Sequence, residues 1–317
     1  MPSRRLLLCT LLLGCASGAF AQASDNLLRL VVPYPPGGGS DRSARIVAEV
    51  LQQRLGQPVV VENIVGAGGR LALRQVAAMP ATANVLVLVN PALMVVAPLV
   101  YKNNGYDPDK DFQPVSQVSR YEMSAAVGAA VPVREYRHLL AWMKANPDKA
   151  SLGVPATGSL PHFFALMMAQ GAGIKPEVIG YKGSSPLVTD LMGGHVPVAI
   201  DALDSHLTQH EAGKIRILAT SGAKRALPNV PTFKEAGLDV VATGFNTFYA
   251  KAGMPAERAA ALSREIKAVM TMPDVQQKFT VLKAEAVAAD QAASRAEVEA
   301  FKQLWVPAIR QANLQFE

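Results

Sequence analysis

Short runs of valine, isoleucine and leucine alternate along the chain with segments whose apolar residues recur every three or four positions. The runs at 28–32, 59–61 and 84–89 have the length and composition of buried strands. Helical patterns separate these runs, at 41–55 and 70–79. This β-α-β-α-β order predicts a mostly parallel sheet with helices on both of its faces.

The same alternation begins again near Ser124 and continues to about Thr220. A linker rich in proline and glycine follows, and 240–251 is predicted to be a strand that returns to the first unit. The pattern therefore predicts an α/β fold of two doubly wound lobes around a central cleft, where ligands bind beyond the carboxyl ends of the strands. The predicted boundaries are 24–123 with 245–317 for the first lobe and 124–244 for the second.

The first residues have the layout of a secretory signal. Two arginines precede a short apolar core at 6–13, and A-x-A cleavage sites end at Ala21 and Ala23. The core is too short to span a bilayer. We therefore predict that residues 1–23 are a cleavable signal peptide and that the mature protein is periplasmic. The alternative is a lipoprotein signal, whose imperfect lipobox would anchor the chain at Cys15.

The cysteine count and the charge narrow the classes of function. Both cysteines, Cys9 and Cys15, lie within the predicted signal, so a soluble mature chain would have no disulfide, cysteine metal ligand or cysteine nucleophile. Without the two arginines of the signal, 29 basic residues face 25 acidic ones, a net charge of +4. The basic residues form no block of the kind that nucleic-acid binding needs. This mild excess is compatible with a small anionic ligand.

A glycine-rich loop at 37–39 lies between the first predicted strand and the first predicted helix. Prolines before it stiffen the chain, the glycines allow close backbone approach, and Ser40 or Asp41 can cap the helix. Free N–H groups and the helix dipole would then face one point, which favours an anion. From this stretch alone, a strand-to-helix turn that binds no ligand is an equally good interpretation. No Walker A or G-x-G-x-x-G sequence occurs, so a nucleotide has little support.

Four further loops follow other predicted strands and would face the same cleft. The second glycine loop, 66–69, occupies the equivalent place one β-α unit later, which raises the binding interpretation above that of an idle turn. The third loop, with Thr157, Gly158 and Ser159, offers hydroxyls and close backbone approach. The fourth loop, Tyr181 to Ser185, is rich in glycine and serine, and the fifth candidate is Asp201, an acid at the end of a predicted strand.

Long segments along nearly all of the mature chain resemble one family. They are VPYPPGGGSDRSAR, VVVENIVGAGGR, GYDPDKDFQPVSQV, VPATGSLPHF, GYKGSSPLVTDLMGGHVPVAID, GKIRILATSGAKRALPNVPTFKEAG and GFNTFYAKAGMPAE. With them the chain resembles the periplasmic solute-binding receptors of tripartite tricarboxylate transporters, often called Bug-type proteins. The resemblance implies a type II periplasmic-binding-protein fold that closes on a small carboxylate, often through backbone N–H groups and bridging waters. It implies membrane permease subunits as partners.

The resemblance also implies which loops bind the ligand, which is expected to be a mono- or dicarboxylate or an acidic amino acid. If Asp201 faces the cleft, it favours an amino or hydroxyl group on the ligand over a second carboxylate. The chain departs from the family's pattern at Ile64-Val65, where Arg-Pro is usual, at 79–86 and near the return strand, which bears on ligand identity more than on fold. The implied ligand-binding residues are Tyr34, Gly39, Ser40, Gly68, Gly69, Thr157, Gly158 and Ser159, and less directly Asp201 and Lys182.

Patterns typical of enzymes and metal sites are weak or absent. His206 and His210 lie four positions apart on a predicted helix without a third ligand nearby, so we expect an exposed pair that binds no metal. No G-x-S-x-G occurs, and an S-x-x-K match at Ser221 lacks its companion motif. His162 either lines the cleft or packs at a helix start, and Asp204 is predicted to be a helix N-cap.

We therefore predict a receptor that is not an enzyme and that uses no cofactor and no metal. No nucleophile with its base can be named, so a hydrolase is an alternative only in a general sense. Two further functions are compatible with the same fold: an orphan ligand sensor that feeds a membrane signalling partner, and a scaffold that no longer binds a ligand.

Overall fold

The computed structural model describes residues 27–311 and 314–316. The predicted signal peptide, with Cys9 and Cys15, lies outside the described residues. The strands are β1 (Leu28–Val32), β2 (Val59–Asn63), β3 (Val85–Val89), β4 (Phe112–Gly128), β5 (Leu152–Val154), β6 (Val178–Gly180), β7 (Val198–Ala202), β8 (Ile215–Thr220), β9 (Thr243–Lys251) and β10 (Glu285–Ala286).

Helices cover the sheet, and most predicted elements are confirmed to within a few residues at their ends. A π-helical stretch at Ala92–Val96 leads directly into α3. The α-helices are α1 (Gly39–Leu55), α2 (Arg70–Ala77), α3 (Ala97–Val100), α4 (Pro108–Asp111), α5 (Tyr136–Ala145), α6 (Leu160–Ala172), α7 (Ser184–Gly193), α8 (Leu203–Glu211), α9 (Ala256–Met270), α10 (Pro273–Val281) and α11 (Gln291–Gln311).

Helix α1 shows why the pattern of apolar residues predicted the helices and strands correctly. Ala44, Val47 and Leu51 recur at helical spacing, and all three are fully buried. They belong to one hydrophobic cluster with Leu30 of β1, and burying a Val or Leu side chain contributes about 1.5–3 kcal/mol. The helix ends at Gly56, whose φ of 61° gives the left-handed cap that glycine adopts without strain.

One curled sheet runs through the whole described chain. Its main strand order is β2-β1-β3-β9-β4-β7-β5-β6, and β8 and β10 pair with β4 off this path. Strands β1, β2 and β3 are parallel, as are β5, β6 and β7, whereas β9 is antiparallel to both β3 and β4. Because parallel strands end at the same edge, the loops that follow them lie together in each lobe.

Strand β4 joins the two halves of the sheet and was not predicted. Its first part, Phe112 to Glu122, pairs with β9, and its second part, Met123 to Gly128, pairs with β7 and β8. Two register shifts interrupt its pairing with β9, and polar residues are buried along it. The alternation of apolar and polar positions is therefore lost, so period-two analysis does not detect this strand.

The hydrophobic core has three parts. One cluster lies beneath α1, α9 and α10, and another beneath α7 and α8. The third extends without interruption from β1 and β3 to β5 and β7. The fold therefore has two α/β lobes that share a sheet and part of a core, and the predicted lobe boundaries stay a prediction. No helix within the described residues combines the length and apolarity needed to cross a membrane.

Candidate functional site

A cavity lies where the loops at the strand ends of the two lobes meet. Its volume is about 70 Å³, which at roughly 10–15 Å³ for each water is space for about five water molecules. Asp201 and Asp204 are the charged side chains of its lining. No lysine, arginine or histidine of residues 27–311 and 314–316 lines it. We call it the main cavity.

Four helices begin at the main cavity: α1, α6, α7 and α8. Residues in or just before their first turns line it, among them Gly39, Ser159, Ser184 and Ser205. The first turn of a helix has unpaired N–H groups, and the helix dipole places about half a positive charge there. Four such ends around one small cavity attract an anion without any basic side chain.

Asp41 holds the first glycine loop in place. The N–H of Gly37 donates to Asp41 Oδ2 at 2.8 Å, and Arg45 Nε donates to the same oxygen at 3.0 Å. Burial would raise the pKa of Asp41, but the hydrogen bonds from Arg45 and Gly37 help to hold it below its ordinary value. Within the described chain, no acceptor hydrogen-bonds to the N–H groups of Gly39 and Ser40. These two donors therefore lie at the cavity without a protein partner.

Polar side chains on the crossing strands are joined by hydrogen bonds beside the cavity. Ser40 Oγ lies 2.9 Å from Asn246 Oδ1, and Asn246 Nδ2 donates to Ser119 Oγ at 3.0 Å. Ser119 and Asn246 lie opposite each other in the ladder between β4 and β9. Nearby, the Tyr34 hydroxyl lies 3.4 Å from Asn90 Oδ1, and burial raises the pKa of Tyr34. The tyrosine is therefore a neutral donor at physiological pH.

Asp201, near the end of β7, presents a carboxyl group to the cavity. The residue is 3% exposed, and its Oδ1 accepts the N–H of Ala202 at 2.7 Å. Its Oδ2 is buried and, like Ser205 Oγ, makes no hydrogen bond of good geometry with the described residues, but the nearby Ser184 hydroxyl lowers the pKa of Asp201 and so opposes the effect of burial. Burial raises the pKa of Asp201 to about 7. Asp201 is therefore mostly protonated below neutral pH and mostly ionised above it.

An ion pair joins the two lobes beside the cavity. Arg42 Nη2, in the first turn of α1, lies 2.7 Å from Asp204 Oδ2 and 2.9 Å from the backbone oxygen of Asp204. The side chain of Asp204 is 6% exposed and lies against Gly39, where an added Cβ would overlap its carboxylate. The prediction of Asp204 as an N-cap was wrong: Ala202 occupies that position, and no side chain caps α8.

A smaller cavity of about 10 Å³ adjoins the main cavity and shares Tyr34 and Ser159 with it. Gly68, Thr157 and Gly158 line this second cavity, so the second glycine loop and the third loop face each other across the two lobes. We call it the side cavity.

Tyr101 closes the side cavity from the first lobe. Its hydroxyl donates to the backbone oxygen of Thr157 at 2.9 Å. The guanidinium of Arg70, the first residue of α2, lies 3.3 Å from the centre of the Tyr101 ring, a cation–π contact. Arg70 lines the side cavity, and its guanidinium is held against the Tyr101 ring.

His162 organises the third loop. The N–H of Gly158 donates to His162 Nδ1 at 2.9 Å, and Ser159 caps α6 by accepting the N–H of His162 at 3.3 Å. Burial lowers the pKa of His162 to about 4, so the ring is neutral and its Nδ1 can accept. Of the two positions predicted for His162, the structure shows packing at the helix start, and the N–H of Gly158 is already used within the protein.

The structure brings most of the predicted site residues together. Three of them, Gly68, Thr157 and Gly158, line the side cavity. Gly69 lines neither cavity, because it is buried against Leu93 and Pro33, and Lys182 is exposed and lines neither. The other five line the main cavity: Tyr34, Gly39, Ser40, Ser159 and Asp201.

Several residues of the main cavity were not predicted. Asn90 directly follows β3, so the rule that points to strand ends could have found it. Ser119 and Tyr121 lie on β4, whose existence the sequence pattern did not show. Asn246 lies within a predicted strand, but nothing in the sequence indicates which face it occupies.

The expectation of an exposed histidine pair was wrong. His206 is fully buried, and its Nδ1 lies 2.8 Å from Ser124 Oγ. Burial lowers its pKa to about 3, which keeps the ring neutral. His210 instead accepts the N–H of Ile217 at 3.3 Å. No group of three or more metal-ligating side chains occurs in the part of the chain that the structure describes.

The sequence and the fold have counterparts among known proteins. A family model described as "Tripartite tricarboxylate transporter family receptor" matches residues 43–314. A UPF0065 protein of Bordetella bronchiseptica is 34% identical over 282 residues, which cover 87% of this chain and 83% of that protein.

Solved structures agree with this match. The periplasmic binding protein BugD has a TM-score of 0.86 at 29% identity, covering 92% of this chain and 99% of its own. Rpa4515 of R. palustris, solved with adipate, has a TM-score of 0.88 at 31% identity, covering 91% of this chain and 98% of its own. MatC of Rhodopseudomonas palustris, solved with malate, has a TM-score of 0.84 at 23% identity, with coverage of 89% and 98%, and shares the fold.

The two lobes and the cavity between them therefore define a periplasmic binding protein of the type II α/β fold. The chain belongs to the family of tripartite tricarboxylate transporter receptors, which includes the Bug proteins. This is a family of solute-binding receptors and not of enzymes.

Proposed function

We propose that this protein is a periplasmic receptor that captures a small carboxylate in the main cavity and delivers it to the membrane permease of a tripartite tricarboxylate-type transporter. The observation that carries the proposal is the convergence of four helix N-termini on one cavity that, among the described residues, no basic side chain lines. Such a cavity favours an anion through backbone donors and helix dipoles.

The ligand's carboxylate would accept the N–H groups of Gly39 and Ser40 and the hydroxyl of Ser159, with Tyr34 close by. Each charge-assisted hydrogen bond would contribute about 1.5–3 kcal/mol. The side cavity, with Gly68, Thr157 and Gly158, would shape the neighbouring wall and hold water that bridges to the ligand. Gly69 would act through packing beneath the second loop.

The relatives support the same class of ligand and the same compartment. Rpa4515, 31% identical to this chain, was solved with adipate, and BugD is a periplasmic binding protein. The predicted signal peptide at 1–23 would deliver the chain to the periplasm, where lobe closure would exclude water from the captured ligand and strengthen its hydrogen bonds. No cofactor and no catalytic step are part of this proposal.

Titration calorimetry of the purified protein against a panel of small molecules tests the proposal. The panel contains mono- and dicarboxylates, amino acids, sugars and divalent metal ions. We expect at least one carboxylate-bearing compound to bind in the micromolar range or tighter and to raise the melting temperature. If no carboxylate binds and a sugar or a metal ion does, the proposal is wrong.

A further inference from the structure

Residues 314–316 run beside the end of α3. The N–H of Phe316 donates to the oxygen of Val100 at 2.7 Å, and the N–H of Lys102 donates to the oxygen of Phe316 at 3.2 Å. These two bonds make an isolated parallel bridge between Tyr101 and Phe316. The backbone of Phe316 is therefore fixed to the predicted first lobe.

The side chain of Phe316 reaches the predicted second lobe. The centre of its ring lies 5.8 Å from that of His162, in the first turn of α6, at an interplanar angle of 35°. It also lies 5.3 Å from the ring centre of Tyr101, at an angle of 43°. Aromatic rings whose centres are about 4.5–7 Å apart attract each other. Phe316 therefore contacts an aromatic ring of each predicted lobe.

Tyr101 adds two contacts to the third loop beside Phe316. Its hydroxyl donates to the oxygen of Thr157 at 2.9 Å. Its ring lies against Gly158, where an added Cβ would be 3.2 Å from Tyr101 Cε2, so a larger residue would push the ring away. With Arg70 over the same ring, a continuous series of contacts crosses from one predicted lobe to the other above the side cavity.

These contacts are largely shielded from water. His162 is 7% exposed. Leu314 and Phe316 pack against the hydrophobic cluster that extends from β1 and β3 to β5 and β7. Because the backbone of Phe316 is bonded to Val100 and Lys102, separation of the lobes would pull its ring away from His162 and expose both rings. Exposure of apolar surface to water is unfavourable.

We propose that residues 314–316 are a latch that fastens the two lobes together over the side cavity, with Phe316 as its anchor on His162. The inference goes beyond the proposed function, because the latch joins protein to protein and needs no bound carboxylate. It shifts the equilibrium between open and closed lobes toward the closed arrangement described above.

Such a latch acts on release more than on capture. Contacts that exist only between closed lobes must break before a bound molecule leaves, but they have not yet formed when it enters. Loss of the latch should therefore raise the dissociation rate constant and leave the association rate constant nearly unchanged. A residue that only stabilises the first lobe would change neither.

Distances between two spin labels test the latch in the ligand-free protein. A protein made from residue 24 onward has no cysteine, so Gln75→Cys on α2 and Lys144→Cys on α5 provide the labelling sites. Both side chains are exposed, and their helices pack against the same cluster from the two predicted lobes. We expect pulsed electron double resonance to show a closed and an open population, with Phe316→Ala lowering the closed-to-open ratio about fivefold, as loss of one aromatic pair predicts.

Two controls separate the latch from a general loss of structure. Gln315→Ala changes an exposed neighbour and should keep the wild-type distances. In a protein that already has His162→Asn, which can still accept the N–H of Gly158, Phe316→Ala should change the distances little because the partner ring is gone. If Phe316→Ala does not fold, Phe316→Leu keeps an apolar side chain and should still lower the closed-to-open ratio about twofold.

Stopped-flow kinetics with succinate and glutarate as probes gives a second observable. For a probe that binds the wild-type protein, Phe316→Ala should raise the dissociation rate constant about fivefold and leave the association rate constant within about twofold. Gln315→Ala should change neither constant.

The outcomes distinguish the latch from the proposed function. The latch is overturned if the wild-type protein shows only the open population, if Phe316→Ala leaves the closed-to-open ratio unchanged, or if Gln315→Ala lowers it equally. An unchanged dissociation rate constant in Phe316→Ala also overturns it. If no carboxylate binds, the proposed function fails, and the ligand-free distances still decide whether the latch exists.

Discussion

The two glycine loops follow neighbouring parallel strands and each opens a helix, yet they form different structures. In the first loop only Gly37 has a positive φ, of 84°, and the chain stays open, so that the N–H groups of Gly39 and Ser40 have no protein acceptor within the described residues. In the second loop every residue from Gly66 to Gly69 has a positive φ, and the N–H of Gly69 donates to the oxygen of Gly66 at 2.8 Å. Similar glycine content thus gives open donors in one loop and a closed turn in the other.

The charges near the two loops differ as well. The first loop lies beside the acids Asp201 and Asp204, whereas the second leads into Arg70, which is stacked on Tyr101. The predicted pair of equivalent anion-binding loops is therefore unequal in this structure. We expect the first loop to contact the ligand directly and the second to hold the wall behind it.

The largest expected effect comes from Gly39→Ala in the first loop. An added Cβ would overlap the carboxylate of Asp204, so the lobes could not approach as they do here, and we expect ligand affinity to fall about a hundredfold or more. Titration calorimetry measures this loss. At Gly38, where φ is −75° and a Cβ would lie 3.7 Å from the oxygen of Pro35, the same substitution should cost at least about tenfold less affinity. Equal losses in the two variants would contradict the role of Gly39.

Gly69→Ala in the second loop should act on stability instead. The residue has φ 100°, and an added Cβ would lie 2.8 Å from Leu93 Cδ1, so we expect a loss of about 2 kcal/mol in the free energy of unfolding. The affinity of the folded protein should change little. Urea denaturation measures the loss, and Gly56→Ala, at φ 61° with nothing within 4 Å, should cost about 1 kcal/mol from strain alone. If Gly69→Ala instead caused a large loss of ligand affinity and no loss of stability, the second loop would contact the ligand as the first does.

Arg42→Met tests the contact between the lobes on the side of the first loop. It removes the ion pair with the nearly buried Asp204, and we expect about tenfold weaker binding because the closed arrangement loses a charge-assisted contact. Small-angle scattering should show a larger radius of gyration for the ligand-free variant than for the ligand-free wild-type protein. Arg54→Met is the control, since Arg54 on the same helix pairs with Glu265 of α9, within the predicted first lobe. If both variants bind alike, the Arg42 pair has no part in closure.

Tyr101→Phe tests the corresponding contact at the second loop and should have the smallest effect. It removes the hydrogen bond to the oxygen of Thr157 and keeps the ring under Arg70, so we expect about threefold weaker binding. Tyr106→Phe removes a hydroxyl that bonds to Leu93 within the predicted first lobe and should leave affinity unchanged. An effect of Tyr101→Phe as large as that of Arg42→Met would show that the two sides contribute equally to closure.

Several particular residues show where prediction from the sequence ended. Asp201 was placed at a strand end by the apolar run before it, and it does line the main cavity. His206 was expected to be one of an exposed pair because its i, i+4 spacing with His210 lacks a third metal ligand, but α8 turns it onto β4, where Ser124 contacts it. Asp204 matched the position of a cap, and its actual partner, Arg42, lies 162 residues away. Local patterns contain no information about such distant partners.

The sequence by itself determined the alternation of strands and helices, the α/β class, the family and the loops that would meet at the cleft. The elements, the class and the loops follow from the periodicity of apolar residues and from glycine and proline placement, which act over a few neighbouring positions. The family follows instead from long segments that resemble its members. Only the tertiary structure decided that β4 joins the two halves, that the first glycine loop stays open while the second closes, and that two acids and no basic side chain among the described residues line the main cavity. These features depend on contacts between residues far apart in the chain, and the energy of a buried charge depends on everything packed around it.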